Sequence, residues 1–129
     1  MSKKNNKIVV AIIEDERMLA DMYATKFELE GFTAVKANDG AAGMELIKKV
    51  RPNIILLDII MPKYDGFAVL KMIKDDPQLR AIPVVLLTNL AQDEDTKKGK
   101  QLGAVDYFVK ANHTPAEVVV KAKQILHLT

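Results

Sequence analysis

The chain has 129 residues, 49% hydrophobic and 28% charged, with no cysteine and 2 histidines. That suits one domain with its own core, and it excludes a disulfide scaffold, a thiolate metal centre and a cysteine nucleophile. Lys plus Arg total 19 against 17 Asp plus Glu, a net charge of +2, and the lysines are scattered, which argues against direct nucleic-acid binding.

In chain order, short β-branched runs alternate with helix-like stretches. Lys7–Ile13 reads as a strand, followed by Glu14 and Asp15. Leu19, Tyr23 and Phe27 then stand four apart, beside Met18 and Met22, and Gly31 can end that helix. Thr33–Ala37 is the second strand. Asn38-Asp39-Gly40 reads as a turn, and Gly43, Leu46, Ile47 and Val50 mark the second helix. After an Arg51-Pro52-Asn53 turn, Ile54–Leu57 is the third strand and ends at Asp58. Phe67, Leu70 and Ile73 mark the third helix, and Pro83–Leu87 is the fourth strand, ending at Thr88. Gln92–Leu102 is the weakest helix, polar and interrupted by Gly99. Val105–Val109 is the fifth strand, ending at Lys110. Thr114-Pro115-Ala116-Glu117 has the pattern of a capping box, and Val118, Val119, Ala122, Ile125 and Leu126 form the last apolar stripe.

Most of the runs are apolar nearly throughout, as strands covered on both faces are. Five strand–helix units predict an α/β domain with a doubly wound parallel sheet. In such sheets the working site lies beyond the carboxyl ends of the strands. Four of the strand ends carry Glu14-Asp15, Asp58, Thr88 and Lys110. Two unit charges 4 Å apart repel by roughly 4 kcal/mol at an effective dielectric of 20. Three carboxylates together therefore call for protons or a cation, and all-oxygen ligands beside a phosphate suit Mg²⁺. A carboxylate next to a hard cation and a lysine is placed to receive a phosphoryl group as nucleophile.

Glu14-Asp15, Leu57-Asp58-Ile59-Ile60-Met61-Pro62 with Asp65-Gly66, Thr88, and Tyr107-Phe108-Val109-Lys110 resemble the receiver domain of two-component response regulators, the CheY-like family. The likeness runs from about Ile8 to Leu126. It implies a (βα)5 flavodoxin-like fold with strand order 2-1-3-4-5. It implies that Asp58 accepts a phosphoryl group from a sensor histidine kinase or a phosphotransfer protein, and that Asp15 and Asp58 bind Mg²⁺ directly. Glu14 would act through water, and the backbone carbonyl of Ile60 would complete the shell. Lys110 would contact the phosphoryl oxygens, Thr88 would move toward them, and Tyr107 would turn inward. The face of the fourth helix, fifth strand and fifth helix would then change its affinity for an effector protein, with a homodimer on phosphorylation a further expectation.

The sequence departs from the family pattern at Ala111, where a proline commonly follows the lysine, so a cis bond is not expected there. Glu14 replaces the commoner aspartate. Ile60 and Leu90, two residues after Asp58 and Thr88, are apolar, which suggests that they exclude water and prolong the phosphorylated state. Ile60 also argues against a haloacid-dehalogenase-type phosphohydrolase, which needs a second acid there, so a switch rather than an enzyme is expected. Glu14-Asp15-Glu16 would repel the phosphate of a flavin carrier. A phosphorylation-independent docking module, or a receiver cut from a larger regulator or hybrid kinase, are the remaining readings. The longest nearly apolar run, Ile54 to Met61, is too short for a membrane span, and the first residues lack a signal-peptide core. One cytoplasmic receiver domain over 1–129, with a flexible start at 1–6, is the expectation. Asp15 could also cap the first helix, and His113 and His127 read as surface residues.

Overall fold

The computed structural model describes residues 7–89 and 92–128. The start at 1–6 and Leu90 lie outside them. Five strands alternate with five helices: β1 (Val9–Ile13), α1 (Arg17–Leu29), β2 (Thr33–Ala37), α2 (Gly40–Val50), β3 (Ile54–Asp58), α3 (Gly66–Asp75), β4 (Val84–Thr88), α4 (Asp93–Gln101), β5 (Asp106–Val109) and α5 (Pro115–Ile125). The strands form one parallel sheet in the order β2-β1-β3-β4-β5, as expected.

Alternate residues of each inner strand point to opposite faces. Ala11, Ile13, Ile55, Leu57, Val84 and Leu86 meet α2 and α3 on one side. Val10, Ile12, Ile54, Leu56, Val85 and Leu87 meet α1 and α5 on the other. Both faces are covered, which is why β3 and β4 are buried at every position and read as unbroken apolar runs. Each fully buried Ile or Leu is worth about 1.5–3 kcal/mol of transfer free energy, so the central strands are the firmest part of the molecule. No helix of the described residues is long and apolar enough to cross a membrane.

Local chemistry fixes the helix starts. Asp39, read as a turn residue, caps α2 by accepting the Ala42 N–H at 2.8 Å. Asp65 caps α3 through the Ala68 N–H at 2.9 Å. Thr114 and Glu117 form the expected capping box, at 2.8 and 3.1 Å. Asp15 does not cap α1. The N-cap residue is Glu16, and its side chain makes no capping bond either. Met18 and Met22, grouped with the first apolar stripe, lie on its outer side and are exposed, while Tyr23 and Phe27 are buried. No cis peptide occurs among the described residues. Lys110–Asn112 instead form one turn of 3-10 helix.

The register sets the level of the functional residues. Ile13 pairs with Leu57, so the next residues, Glu14 and Asp58, leave the sheet side by side. Asp58 pairs with Leu87, and Thr88 pairs with Val109, the residue before Lys110.

Candidate functional site

Glu14, Asp58 and Thr88 are the buried polar residues of the described chain, at 0%, 4% and 5% exposure. Lys110 comes in from the end of β5 and buries its side chain among them. Its Nζ lies 2.7 Å from Glu14 Oε1 and 3.1 Å from Asp58 Oδ2, with Glu16 Oε2 farther out at 3.7 Å. The approach to Glu14 is off-axis: Glu14 Oε1 and Lys110 Nζ have no aligned hydrogen-bond partner, so the contact is an ion pair. Carboxylate oxygens of Glu14, Asp15 and Asp58 all lie within 4.8 Å of one another. Asp15 is exposed and Glu14 is not, so the group opens to solvent on the Asp15 side.

Backbone contacts hold this arrangement. The Glu14 N–H donates to the Ala37 carbonyl at 3.0 Å, and Asn38 Nδ2 donates to the Glu14 carbonyl at 3.2 Å. The Glu16 N–H donates to Glu14 Oε2 at 3.1 Å. On the other side, the Gly66 N–H donates to the Ile59 carbonyl at 2.7 Å. A Cβ on Gly66 would sit 2.3 Å from the Asp58 carbonyl oxygen and 2.8 Å from Ile59 Cα. Only glycine lets α3 begin against the strand end that carries Asp58.

The electrostatics follow from burial and an excess of acid. Burial first, then the neighbouring Glu14, pushes Asp58 up to about 8, and Lys110 only partly opposes them. For Lys110, burial alone would lower the pKa, but Glu14 and Asp58 outweigh it and hold the ammonium above its ordinary value. An isolated Asp58–Lys110 pair would have lowered Asp58. Burial, reinforced by the second buried carboxylate, reverses that sign. Such a cluster of hard oxygen donors, short of positive charge and open on one side, fits a divalent cation of the magnesium type.

The fold therefore brings together Glu14, Asp15, Asp58, Thr88 and Lys110. Tyr107 is half-buried against the sheet, and its hydroxyl is already buried without a hydrogen-bond partner. Its ring stands beside Gly99 of α4, where a Cβ would meet Tyr107 Cδ2 at 3.8 Å. The Ile60 side chain is 72% exposed, so in this arrangement it does not cover Asp58. His113, expected at the surface, is half-buried and packs on Phe108 with ring centroids 5.0 Å apart.

Two further residues, not expected there, interact with the site. Glu16 reaches Lys110, and the signal for it was the third acid in Glu14-Asp15-Glu16. Tyr23 was read as one of the helix stripe. Its buried phenol is raised in pKa by desolvation first and then by Glu14, with smaller effects from Lys110, Asp58 and Glu16. Helical spacing cannot tell an ordinary stripe tyrosine from one that feels the charge of an acid pocket.

A family model described as the response regulator receiver domain matches residues 10–122. The DNA-binding dual master transcriptional regulator RpaA of Synechocystis sp. is 32% identical over 120 residues, covering 93% of this chain and 49% of that protein. The chain thus spans about half the length of the curated relatives it matches. Among solved structures, a putative response regulator from Chloroflexus aurantiacus J-10-fl is 25% identical. It has a TM-score of 0.87, over 95% of this chain and 99% of that one. The Mn(2+)-bound form of response regulator Rcp1 is 27% identical with a TM-score of 0.81, over 92% and 94% of the two chains.

Proposed function

The chain belongs to the response regulator receiver domain family, and from that premise we propose that it is a phospho-acceptor switch whose acceptor is Asp58. The observation that carries this is the buried Lys110 ammonium set between Asp58 and Glu14, with Asp15 within reach of both acids. An Asp58 oxygen attacks the phosphorus of a phosphohistidine on a sensor histidine kinase or phosphotransfer protein. A new O–P bond forms, the P–N bond breaks, and the donor's imidazole, protonated on its other ring nitrogen, takes the electron pair and leaves neutral. Lys110 turns to the phosphoryl oxygens as their charge arrives.

Asp15 and Asp58 would hold Mg²⁺, with Glu14 acting through water and the Ile60 carbonyl completing the shell. Bound there, the ion supplies positive charge against the phosphoryl oxygens. That the similar Rcp1 has a Mn(2+)-bound form agrees with divalent-ion binding. Burial and Glu14 push Asp58 up to about 8, and further positive charge beside it would favour the carboxylate form that attacks.

Thr88 and Tyr107 are the coupling pair. Thr88 would bond a phosphoryl oxygen, and the packing of Tyr107 against α4 would change with it. Shifting a two-state protein from 1:99 to 99:1 needs about 5.5 kcal/mol, within reach of a dianionic group making several charge-assisted bonds. The effector would read the face of α4, β5 and α5. With Ile60 where a second acid would stand, turnover of external substrates is not expected, and a histidine-kinase donor implies a cytoplasmic setting.

Beryllofluoride, a phosphoryl mimic, tests this. Added with Mg²⁺, it should shift the amide resonances of Thr88, Tyr107 and α4, and Asp58→Asn should abolish the shifts. Equal shifts in the variant would refute Asp58 as acceptor.

A further inference from the structure

We propose that Glu16 selects among phosphodonors: its carboxylate, at the mouth of the pocket, competes with an incoming phosphoryl group for Lys110 and disfavours donors with two negative charges. This rests on Asp58 being the phospho-acceptor.

Three observations carry it. Glu16 is the N-cap residue of α1, and its side chain makes no capping bond, so its carboxylate is not engaged by the helix N-terminus. It points to Lys110 instead, with Oε2 3.7 Å from Nζ. It is also the exposed partner of that lysine. The Glu16 side chain is 56% exposed, against 0% for Glu14 and 5% for Asp58.

The consequence follows from charge. With Asp15 and Asp58 holding Mg²⁺ and Glu14 acting through water, Lys110 would be released from its buried counter-charges and turn to the phosphoryl group. Glu16 is the carboxylate still in reach of the ammonium. An anionic donor must displace it and pass it, so each added negative charge on the donor raises the barrier. A donor whose phosphoryl group carries an ammonium in place of an acyl oxygen meets less repulsion. Glu16 thus contributes specificity at the mouth and takes no part in bond making.

The test compares phosphorylation rates by intact mass, with Mg²⁺, for acetyl phosphate (a dianion near neutral pH) and phosphoramidate (about one net negative charge). Glu16→Gln should speed acetyl phosphate about fivefold more than phosphoramidate, the factor that one extra negative charge beside a carboxylate is worth in water. The gap should close at high salt. Glu16→Lys should widen it. The side chain is exposed and caps nothing, so melting temperatures should stay level across the series. If the wild type is phosphorylated and Glu16→Gln leaves the ratio of the two rates unchanged, the selective role is overturned while the acceptor stands. If neither donor phosphorylates the wild type, the acceptor reading fails and this proposal with it.

Discussion

Lys110 is the counter-charge of two buried acids, at 2.7 Å from Glu14 and 3.1 Å from Asp58. Removing one member of a buried ion pair costs about 3–5 kcal/mol because the others are left uncompensated. Lys110→Met should therefore lower the urea stability of the metal-free protein by about 3 kcal/mol at neutral pH, and added Mg²⁺ should recover part of the loss. Asp58 makes stability depend on pH. Its folded pKa is raised from 3.8 to about 8, so the folded state binds more protons across that interval. Its contribution is fully present below pH 4, falls as pH rises, and is gone above about pH 8. Urea midpoints of the metal-free protein should show that decline, and Asp58→Asn should flatten it. Glu14, Asp15, Asp58, Thr88 and Lys110 were legible because, in a parallel sheet, the end of a strand is a place in space. Glu16 and Tyr23 were not, since one follows the strand end and the other sits a turn into a helix. Their role depends on where Lys110 goes, and Lys110 comes from the far end of the chain.

At the scale of elements, α4 differs from the other helices. Within it only Gly99 is buried, and a Cβ there would meet Leu86 Cδ1 at 2.6 Å. The helix is held by close backbone approach and by flanking contacts such as Lys98 over the Phe67 ring at 4.5 Å, not by an apolar stripe. Low apolar burial means low local stability. Amides of α4 should exchange with solvent faster than those of α1, α2, α3 and α5, and Gly99→Leu should speed α4 exchange further while leaving β1 and β3 protected. Uniform exchange across the helices would contradict this. The polar sequence of α4 had already marked it as the weakest helix. Strand limits were read to within a residue or two, because β-branched runs stop where charge begins. Met18 and Met22 misled, since spacing shows that residues share a helix but the outer face is settled only by what packs on α1.

For the whole molecule, the order β2-β1-β3-β4-β5 gathers residues from four strand ends into one pocket and leaves α4, beside β5, as its loosest neighbour. Alternating apolar runs made the parallel sheet legible, and the family likeness supplied the strand order. The off-axis contact of Lys110 with Glu14, the buried Tyr107 hydroxyl and the exposed Ile60 needed coordinates, because they depend on side-chain direction. The claim that joins these levels is that the acid pocket exists to take a phosphoryl group on Asp58. Intact mass after incubation with acetyl phosphate, with and without Mg²⁺, tests it most directly. A gain of one phosphoryl group that requires Mg²⁺ and is lost in Asp58→Asn is the predicted result; no gain by a protein that binds Mg²⁺ would contradict it and leave the pocket a docking element.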